Sequence, residues 1–363
     1  MKKRVLILSN HFITIYNFRK ELIQCLIDEG HEVTLSIPYS QDNQYFIDLG
    51  CKIVETKVNR RGLNPIEDLK LLVNYIRIMK EVKPDIIFSY TIKPNIYGSI
   101  ASNFLKYRQV NNITGTGATF LNNNLISKMA KILYKLSVKY SYKVFFQNRG
   151  DLDYFIENKM VKNNYDLLPG SGVNLEQYEF SDFPDKDCTN FIFIGRIMEL
   201  KGIDEYLEAA KFIKKTNNNI NFYVAGFIEE KKYESIIKDF EDKGIINYIG
   251  FQRDIQVWIK NCHCTVLPSH GGEGVPNVLL ESAAIGRICI ASNISGSCDI
   301  VDSEDVGYLF EVKSTNDLIT QMEKVIKLSD SDIKKMGILA RKKVEMYFNR
   351  DIIIQKYIEE VNS

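Results

Sequence analysis

Short apolar runs, rich in β-branched and aromatic residues, recur along the whole chain, and each is followed by a longer stretch of helical periodicity. Runs that are apolar throughout, not in alternate positions, read as parallel strands covered on both faces. In the first half they fall at 5–8, 33–37, 53–54, 86–89 and 144–146. In the second half they fall at 191–194, 222–225, 248–250, 265–267 and 288–291. Helical patterns fill the gaps, one of them opening at Asn64-Pro65, an N-cap residue followed by proline at the first helical position. Strand followed by helix, repeated, predicts doubly wound α/β domains, and 363 residues suffice for two with separate cores. The character changes at 166–174, a short strand running into a Pro/Gly/Ser turn. That turn divides an N-terminal domain, 1–168, from a C-terminal domain, 169–349, with a last helical segment over 350–363.

Two segments of the second half carry candidate chemistry. In Ser269-His270-Gly271-Gly272-Glu273-Gly274-Val275-Pro276-Asn277-Val278-Leu279-Leu280-Glu281, two carboxylates flank a Gly-Val-Pro turn that reads as a helix start. Glu273 is expected on the loop and Glu281 inside the helix, with the free amides of the helix N-terminus between them. Fixed acceptors at both ends of a group of donors suit a sugar nucleotide, with hydroxyls at its ends and a diphosphate in the middle. The second segment follows the apolar run 191–194: Gly195-Arg196, then Lys201-Gly202. Arg196 and Lys201 therefore belong to a loop at the carboxyl end of a strand, where open α/β sheets bind ligands. Two permanent cations there neutralise a diphosphate leaving group, each charge-assisted hydrogen bond being worth roughly 1.5–3 kcal/mol.

Together these segments resemble the retaining GT-B glycosyltransferases of glycosyltransferase family 4. The residues that carry the resemblance are Gly195-Arg196 with Lys201-Gly202, Pro268-Ser269 with Glu273-Gly274-Val275-Pro276, and Glu281 through Gly286. One residue more than the family pattern separates Ser269 from Glu273. The resemblance implies a GT-B fold, α/β, with two doubly wound Rossmann-like domains facing a cleft, the last helix returning to the first domain. It implies that Glu273 binds donor-sugar hydroxyls and Glu281 the nucleotide ribose. Arg196, Lys201 and the helix amides then stabilise the leaving group by electrostatic preorganisation, and the donor phosphate serves as base for the acceptor hydroxyl. Gly195, Gly226, Gly274, Val275, Pro276 and Asn277 are expected to line the donor site, with uracil near Gly250-Phe251-Gln252-Arg253 and His270 among the sugar contacts. No metal and no other cofactor is required, since two side-chain cations take that role.

Composition is that of a soluble globular protein, 45% hydrophobic and 26% charged. No apolar run approaches the ~18 residues that span a bilayer, and the opening Met1-Lys2-Lys3-Arg4 leads into a first strand, not a signal peptide. Seven scattered cysteines argue for a reducing compartment. Cys262-His263-Cys264 lacks a second ligand pair at metal-binding spacing. The net charge of +1 hides an asymmetry, for residues 1–165 hold 24 Lys+Arg against 14 Asp+Glu and the remainder 23 against 32. A basic first domain suggests an anionic surface. Its expected contact is a helix over 125–142, where Lys128, Lys131, Lys135 and Lys139 share one stripe, supported by Arg60-Arg61, Lys106 and Arg108. Relatives that act on lipid-linked acceptors make the inner face of the cell membrane the expected location. No nucleic-acid partner is expected, for no recognisable motif accompanies the charge and the domain is not extreme in charge.

The first domain is expected to hold the acceptor, through Asn10 and His11 after the first strand, Lys93, and the loop Gly115, Thr116 and Gly117. Here the chain departs from the broad family, with Asn10-His11 in place of a Gly-Gly turn and no histidine near Thr114. The stretch Ile15-Tyr16-Asn17-Phe18-Arg19 instead resembles a subgroup that extends undecaprenyl-diphosphate-linked sugars in surface polysaccharide or glycan assembly. The expected reaction is retaining transfer of a hexose or N-acetylhexosamine from a UDP-sugar to such a lipid-linked saccharide. Two alternatives share the fold: a UDP-sugar 2-epimerase, which needs acid and base groups that a histidine-poor first domain scarcely offers, and a non-catalytic scaffold of a polysaccharide assembly complex. A nicotinamide enzyme needs Gly-x-Gly-x-x-Gly after the first strand, and Ser9-Asn10-His11-Phe12 does not supply it.

Overall fold

The computed structural model describes residues 1–59, 64–117, 125–184, 188–217 and 219–363. Among them the strands form two all-parallel sheets, one in each of two units. The first unit comprises residues 1–171 and 351–363. Its strands are β1 (Arg4–Leu8), β2 (Glu32–Ile37), β3 (Lys52–Glu55), β4 (Ile86–Tyr90), β5 (Gln109–Ile113), β6 (Lys143–Phe146) and β7 (Tyr165–Leu167), in the order β3-β2-β1-β4-β5-β6-β7. Its helices are α1 (Phe12–Asp28), α2 (Gln44–Asp48), α3 (Pro65–Val82), α4 (Ile92–Leu105), α5 (Leu125–Val138) and α6 (Arg149–Glu157). At the opening of α3 the Asn64 side chain accepts from the Ile66 amide and Pro65 takes the first helical position.

The strand pattern explains the layering. In β1, Val5 and Ile7 join a core with α1, while Leu6 and Leu8 join another with α3. Each such fully buried side chain contributes roughly 2 kcal/mol. β5 is the exception. Its sequence Gln-Val-Asn-Asn-Ile is buried throughout, and its polar side chains bond to one another and to their neighbours, with Gln109 Oε1 left without a partner among the described residues. Gln109 Nε2 donates to Ser89 Oγ at 2.9 Å, Asn111 Nδ2 to Ser141 Oγ at 2.7 Å, and Asn95 Nδ2 to the Asn112 carbonyl at 2.9 Å.

The second unit comprises residues 172–350. Its strands are β8 (Thr189–Ile194), β9 (Ile220–Ala225), β10 (Asn247–Gly250), β11 (Cys264–Leu267), β12 (Ile288–Ser292) and β13 (Gly307–Phe310), in the order β10-β9-β8-β11-β12-β13. Its helices are α7 (Ile203–Lys214), α8 (Lys232–Asp242), α9 (Ile255–Lys260), α10 (Asn277–Ile285), α11 (Ser295–Ile300), α12 (Thr315–Lys327) and α13 (Asp330–Tyr347). The last helix, α14 (Arg350–Asn362), sends Ile353, Ile354, Tyr357, Ile358 and Val361 into the core shared with α1 and β1 of the first unit. In the second sheet the chain reverses its direction of winding between β8 and β11, so the loops beyond their carboxyl ends diverge and leave room for a ligand. Those two loops are the Arg196/Lys201 and Glu273 segments.

Candidate active site

The two loops interlock. After β8 the chain passes Gly195 and Arg196 and makes a short 3₁₀ turn, Glu199–Lys201, before α7. After β11 it passes Pro268 and Ser269 to the glycine-rich stretch before α10. The His270 amide donates to the Leu200 carbonyl at 2.9 Å. Gly202 (φ +71°) lies so close to Pro268 that a Cβ on it would stand 1.9 Å from the proline carbonyl oxygen. Gly226, beyond β9, approaches the Gly195 carbonyl as tightly, with 1.8 Å left for a Cβ. Backbone contact at both places excludes any larger residue.

This framework brings three of the expected residues together. Lys201 Nζ is ion-paired with Glu273 Oε1, and Ser269 Oγ donates to the same oxygen at 2.8 Å. Burial pushes the Glu273 carboxyl up, but Lys201, Ser269 and the nearby charge of Arg196 outweigh it and hold the group below the ordinary carboxylate range. Glu273 is therefore an anion at any physiological pH. Arg196 is half-buried and makes no hydrogen bond or ion pair among the described residues, so its guanidinium keeps its donors for a ligand.

The helix α10 begins at Asn277, with Pro276 in the N-cap place, one residue later than the proline signal predicts. Gly274, Val275 and Pro276 are buried under its start. The Asn277 Oδ1 atom is buried and has no hydrogen-bond partner among the described residues. Such an orphan acceptor costs about 1–3 kcal/mol unless a donor reaches it. Glu281 lies five residues into the helix, beside Tyr178 and Arg350. Burial pushes its carboxyl up to about 7, against the opposing pull of Arg350 and a hydrogen bond from Tyr178.

That displacement has a sign that can be measured. Between the ordinary carboxyl pKa and about 7 the folded chain holds a proton that the unfolded chain has released. The stabilisation is complete at low pH and is lost as pH rises through about 7, to an extent on the order of 3 kcal/mol. Urea midpoints measured from pH 5 to 8 should therefore fall more steeply for the wild type than for Glu281→Gln, which mimics the protonated form. Parallel curves would exclude the shift.

The remaining expected residues are placed as follows. His270 turns to Glu205 of α7, its Nε2 donating to Oε1 at 3.0 Å. Arg253 is exposed beyond β10. Cys262, His263 and Cys264 are buried at the start of β11, with His263 Nδ1 accepting from the Asn190 amide at 3.1 Å. Among the described residues no group of three or more His, Cys, Asp or Glu has metal-binding geometry.

In the first unit, Asn10 and His11 are partly buried between β1 and α1, His11 in the N-cap place. Lys93 is spent on Asp68 at 2.6 Å, both side chains nearly buried. Gly115 (φ +111°) and Gly117 (φ +60°) flank Thr116, whose hydroxyl donates to Asp151 Oδ1 at 3.0 Å. Lys128 and Lys135 are exposed on α5, Lys131 is partly buried with its ammonium 5.7 Å from the Tyr154 ring centroid, and Lys139 follows the end of the helix. Arg60 and Arg61 lie outside the described residues.

Sequence reasoning did not find Glu205, Tyr178 or Asp151 as partners. An acid in the first turn of a helix is ordinary helix chemistry, and only the fold shows that Glu205 meets His270.

Known proteins resemble the chain over most of its length. A family model described as "Glycosyl transferase 4-like" matches residues 4–148, and one described as "Glycosyl transferases group 1" matches residues 176–343. The chain is 27% identical to the N,N'-diacetylbacillosaminyl-diphospho-undecaprenol alpha-1,3-N-acetylgalactosaminyltransferase of Campylobacter jejuni, over 98% of this chain and 97% of that one. It is 26% identical to an Escherichia coli UDP-Gal:alpha-D-GlcNAc-diphosphoundecaprenol alpha-1,3-galactosyltransferase, over 80% and 78% of the two chains. Among solved structures, a glycosyltransferase from Rickettsia africae superposes with a TM-score of 0.81 at 16% identity, covering 99% and 98% of the two chains. HepE of Anabaena, in complex with UDP, superposes with a TM-score of 0.76 at 15% identity over the whole of both.

Proposed function

The chain is a GT-B glycosyltransferase of the family 4 type, and from that premise we propose that it moves a hexose or N-acetylhexosamine from a UDP-sugar, with retention, to an undecaprenyl-diphosphate-linked saccharide. The observation that carries the reading is the Arg196, Lys201 and Glu273 constellation at the winding reversal of the second sheet. The names of the relatives aligned over most of the chain support the lipid-linked acceptor.

In this mechanism Lys201 exchanges Glu273 for the donor diphosphate, joined by Arg196 and the first amides of α10. Glu273, released but still an anion, accepts the hydroxyls of the donor sugar. The bond from the anomeric carbon to the phosphate oxygen breaks as charge grows on the leaving UDP. The acceptor oxygen bonds to the same face of the carbon, and its proton passes to the departing phosphate oxygen. Glu273 and Glu281 are thus binding groups, not the acid and nucleophile of a retaining glycosidase. Glu281 accepts from the ribose, Asn277 Oδ1 takes a donor from the ligand, and Arg253 lies by the base. On the acceptor side Asn10, His11, Gly115, Thr116 and Gly117 line the loops at the carboxyl ends of β1 and β5. No metal enters this reading, because the side-chain cations and helix amides carry the diphosphate charge.

Purified protein incubated with a panel of UDP-sugars and a short-chain polyprenyl-diphosphate-saccharide tests it. Transfer should require one UDP-sugar together with the lipid acceptor and give an axial linkage from an axial donor. An inverted product, or no transfer with any UDP-sugar, would overturn it.

The basic face of the first unit fits an anionic membrane at the cytoplasmic side. Beside the lysines of α5, Met129, Ile132 and Leu136 are 56%, 58% and 65% exposed, too much apolar surface for a helix that faces only water. Ile66, Leu69 and Val73 of α3 are exposed as well, next to Lys70 and Arg77. Apolar side chains ringed by lysine and arginine suit the headgroup boundary of a bilayer. Among the described residues no helix is long and apolar enough to cross one. Ile132→Ser with Leu136→Ser should lower flotation with phosphatidylglycerol vesicles at least about tenfold, and raising salt should weaken binding of the wild type. Flotation unchanged by both would exclude this face.

A further inference from the structure

The hydrogen bond between His270 and Glu205 has no part in the donor contacts described above, yet it is as well buried as the machinery around it. The two side chains are 9% and 11% exposed and meet at 3.0 Å. Glu205 sits in the first turn of α7, four residues after Lys201. His270 sits three residues before Glu273. The pair therefore ties together the two loops that carry the cation and the anion of the site, at a point where neither residue touches the other loop's functional group.

We propose that Glu205 is a positioning residue: through His270 it fixes the 269–274 loop, and with it the place of Glu273 relative to Lys201. This rests on the donor-site reading above. The carboxylate also selects the tautomer of the ring. A carboxylate oxygen accepts, so Nε2 is the ring nitrogen that carries the proton in this contact. At this point the backbone itself gives little hold, since Gly271 (φ +135°) and Gly272 (φ +73°) follow at once and set no preferred course. Among the anchors of the stretch are the His270 amide and Ser269 Oγ on the Leu200 carbonyl, Ser269 on Glu273, Lys201 on Glu273, and Glu205 on the ring. The second Glu205 oxygen, Oε2, is buried without a hydrogen-bond partner among the described residues. A carboxylate kept in that state at a loop junction is not explained by stability alone, because burying it costs more than an apolar residue of like size.

The experiment is a double-mutant cycle on sugar transfer with Glu205→Ala, His270→Ala and the double variant, read together with binding of UDP and of the intact UDP-sugar. If Glu205 acts through His270, each single variant should lower kcat about ten- to thirtyfold, and the double variant should lose little more than either. UDP affinity should stay within about threefold while affinity for the UDP-sugar falls. Glu205→Gln, whose amide oxygen still accepts from Nε2, should recover most of the rate. Multiplying losses in the double variant, or no rescue by Gln with equal losses of UDP and UDP-sugar binding, would overturn the positioning role. Wild-type protein that binds no UDP would instead refute the donor-site reading. Melting temperatures of all variants separate a folding defect from either result.

Discussion

Lys201→Ala is expected to lower kcat for transfer by about 10²–10³-fold, the effect of removing one preorganised charge from a developing oxyanion. Two losses combine in that figure. The diphosphate loses a cation that strengthens its contact as charge accumulates on the leaving group, which acts on kcat more than on donor affinity. Glu273 loses its ion-pair partner while remaining largely buried. With Lys201 gone, the largest influence opposing burial is lost, so the Glu273 carboxyl rises from its depressed value. The acidic limb of the pH–rate profile should therefore move to higher pH in Lys201→Ala, whereas removal of Arg196, which makes no ion pair among the described residues, should cost rate and shift that limb less. Lys201→Arg keeps the charge but not its compact reach into the pair, and is expected to recover only part of the rate. Single-turnover transfer across pH 5 to 8 measures both effects. A rate within threefold of wild type would remove Lys201 from the chemistry.

How much of this was legible in the sequence depends on how each part is stabilised. Strands held by apolar burial announced themselves: the runs at 5–8, 191–194 and 265–267 became β1, the end of β8 and β11. β5 did not, because its face is made of Gln109, Asn111 and Asn112. Polar residues in a row read as a loop, and the burial becomes tolerable through Ser89 of β4, Asn95 and Ser99 of α4, Ser141 beyond α5 and Tyr357 of α14, which reach them. β13 passed unnoticed for a plainer reason, being four residues long and starting with glycine.

The candidate site divides in the same way. Glu273, Glu281, Arg196 and Lys201 stand in motifs whose spacing survives in one dimension. What each is paired with does not. Lys93, expected near an acceptor phosphate, is paired in the fold with Asp68, 25 positions away. His270 looked like a sugar contact, and the fold turns its Nε2 to Glu205, 65 positions away. Partner choice at such separations follows from sheet order and loop register, which no local pattern encodes.

The glycine between the two loops offers the largest structural effect. Gly202→Ala should lower the stability of the second unit by roughly 3 kcal/mol or more and abolish most transfer with it. Part of the cost is conformational, since φ of +71° is left-handed and an L-residue gives up about 1–2 kcal/mol there. The rest is overlap. A methyl group 1.9 Å from the Pro268 carbonyl oxygen cannot be absorbed by a rotamer change, because both partners are backbone. The β11 loop must move away from α7, and that motion breaks the His270 amide bond to Leu200 and pulls Glu273 off Lys201. Gly244→Ala separates the two contributions, for Gly244 has a similar φ of +66° but nothing within 4 Å of its would-be Cβ. It should cost only the conformational part, a shift of about 2–6 °C, against roughly 6–12 °C for Gly202→Ala. Calorimetry of both variants, with UDP titrated into each, measures the difference. If Gly202→Ala melted no lower than Gly244→Ala and still bound UDP normally, the two loops would not be locked together at this point, and the site would have to owe its geometry to the ion pairs alone.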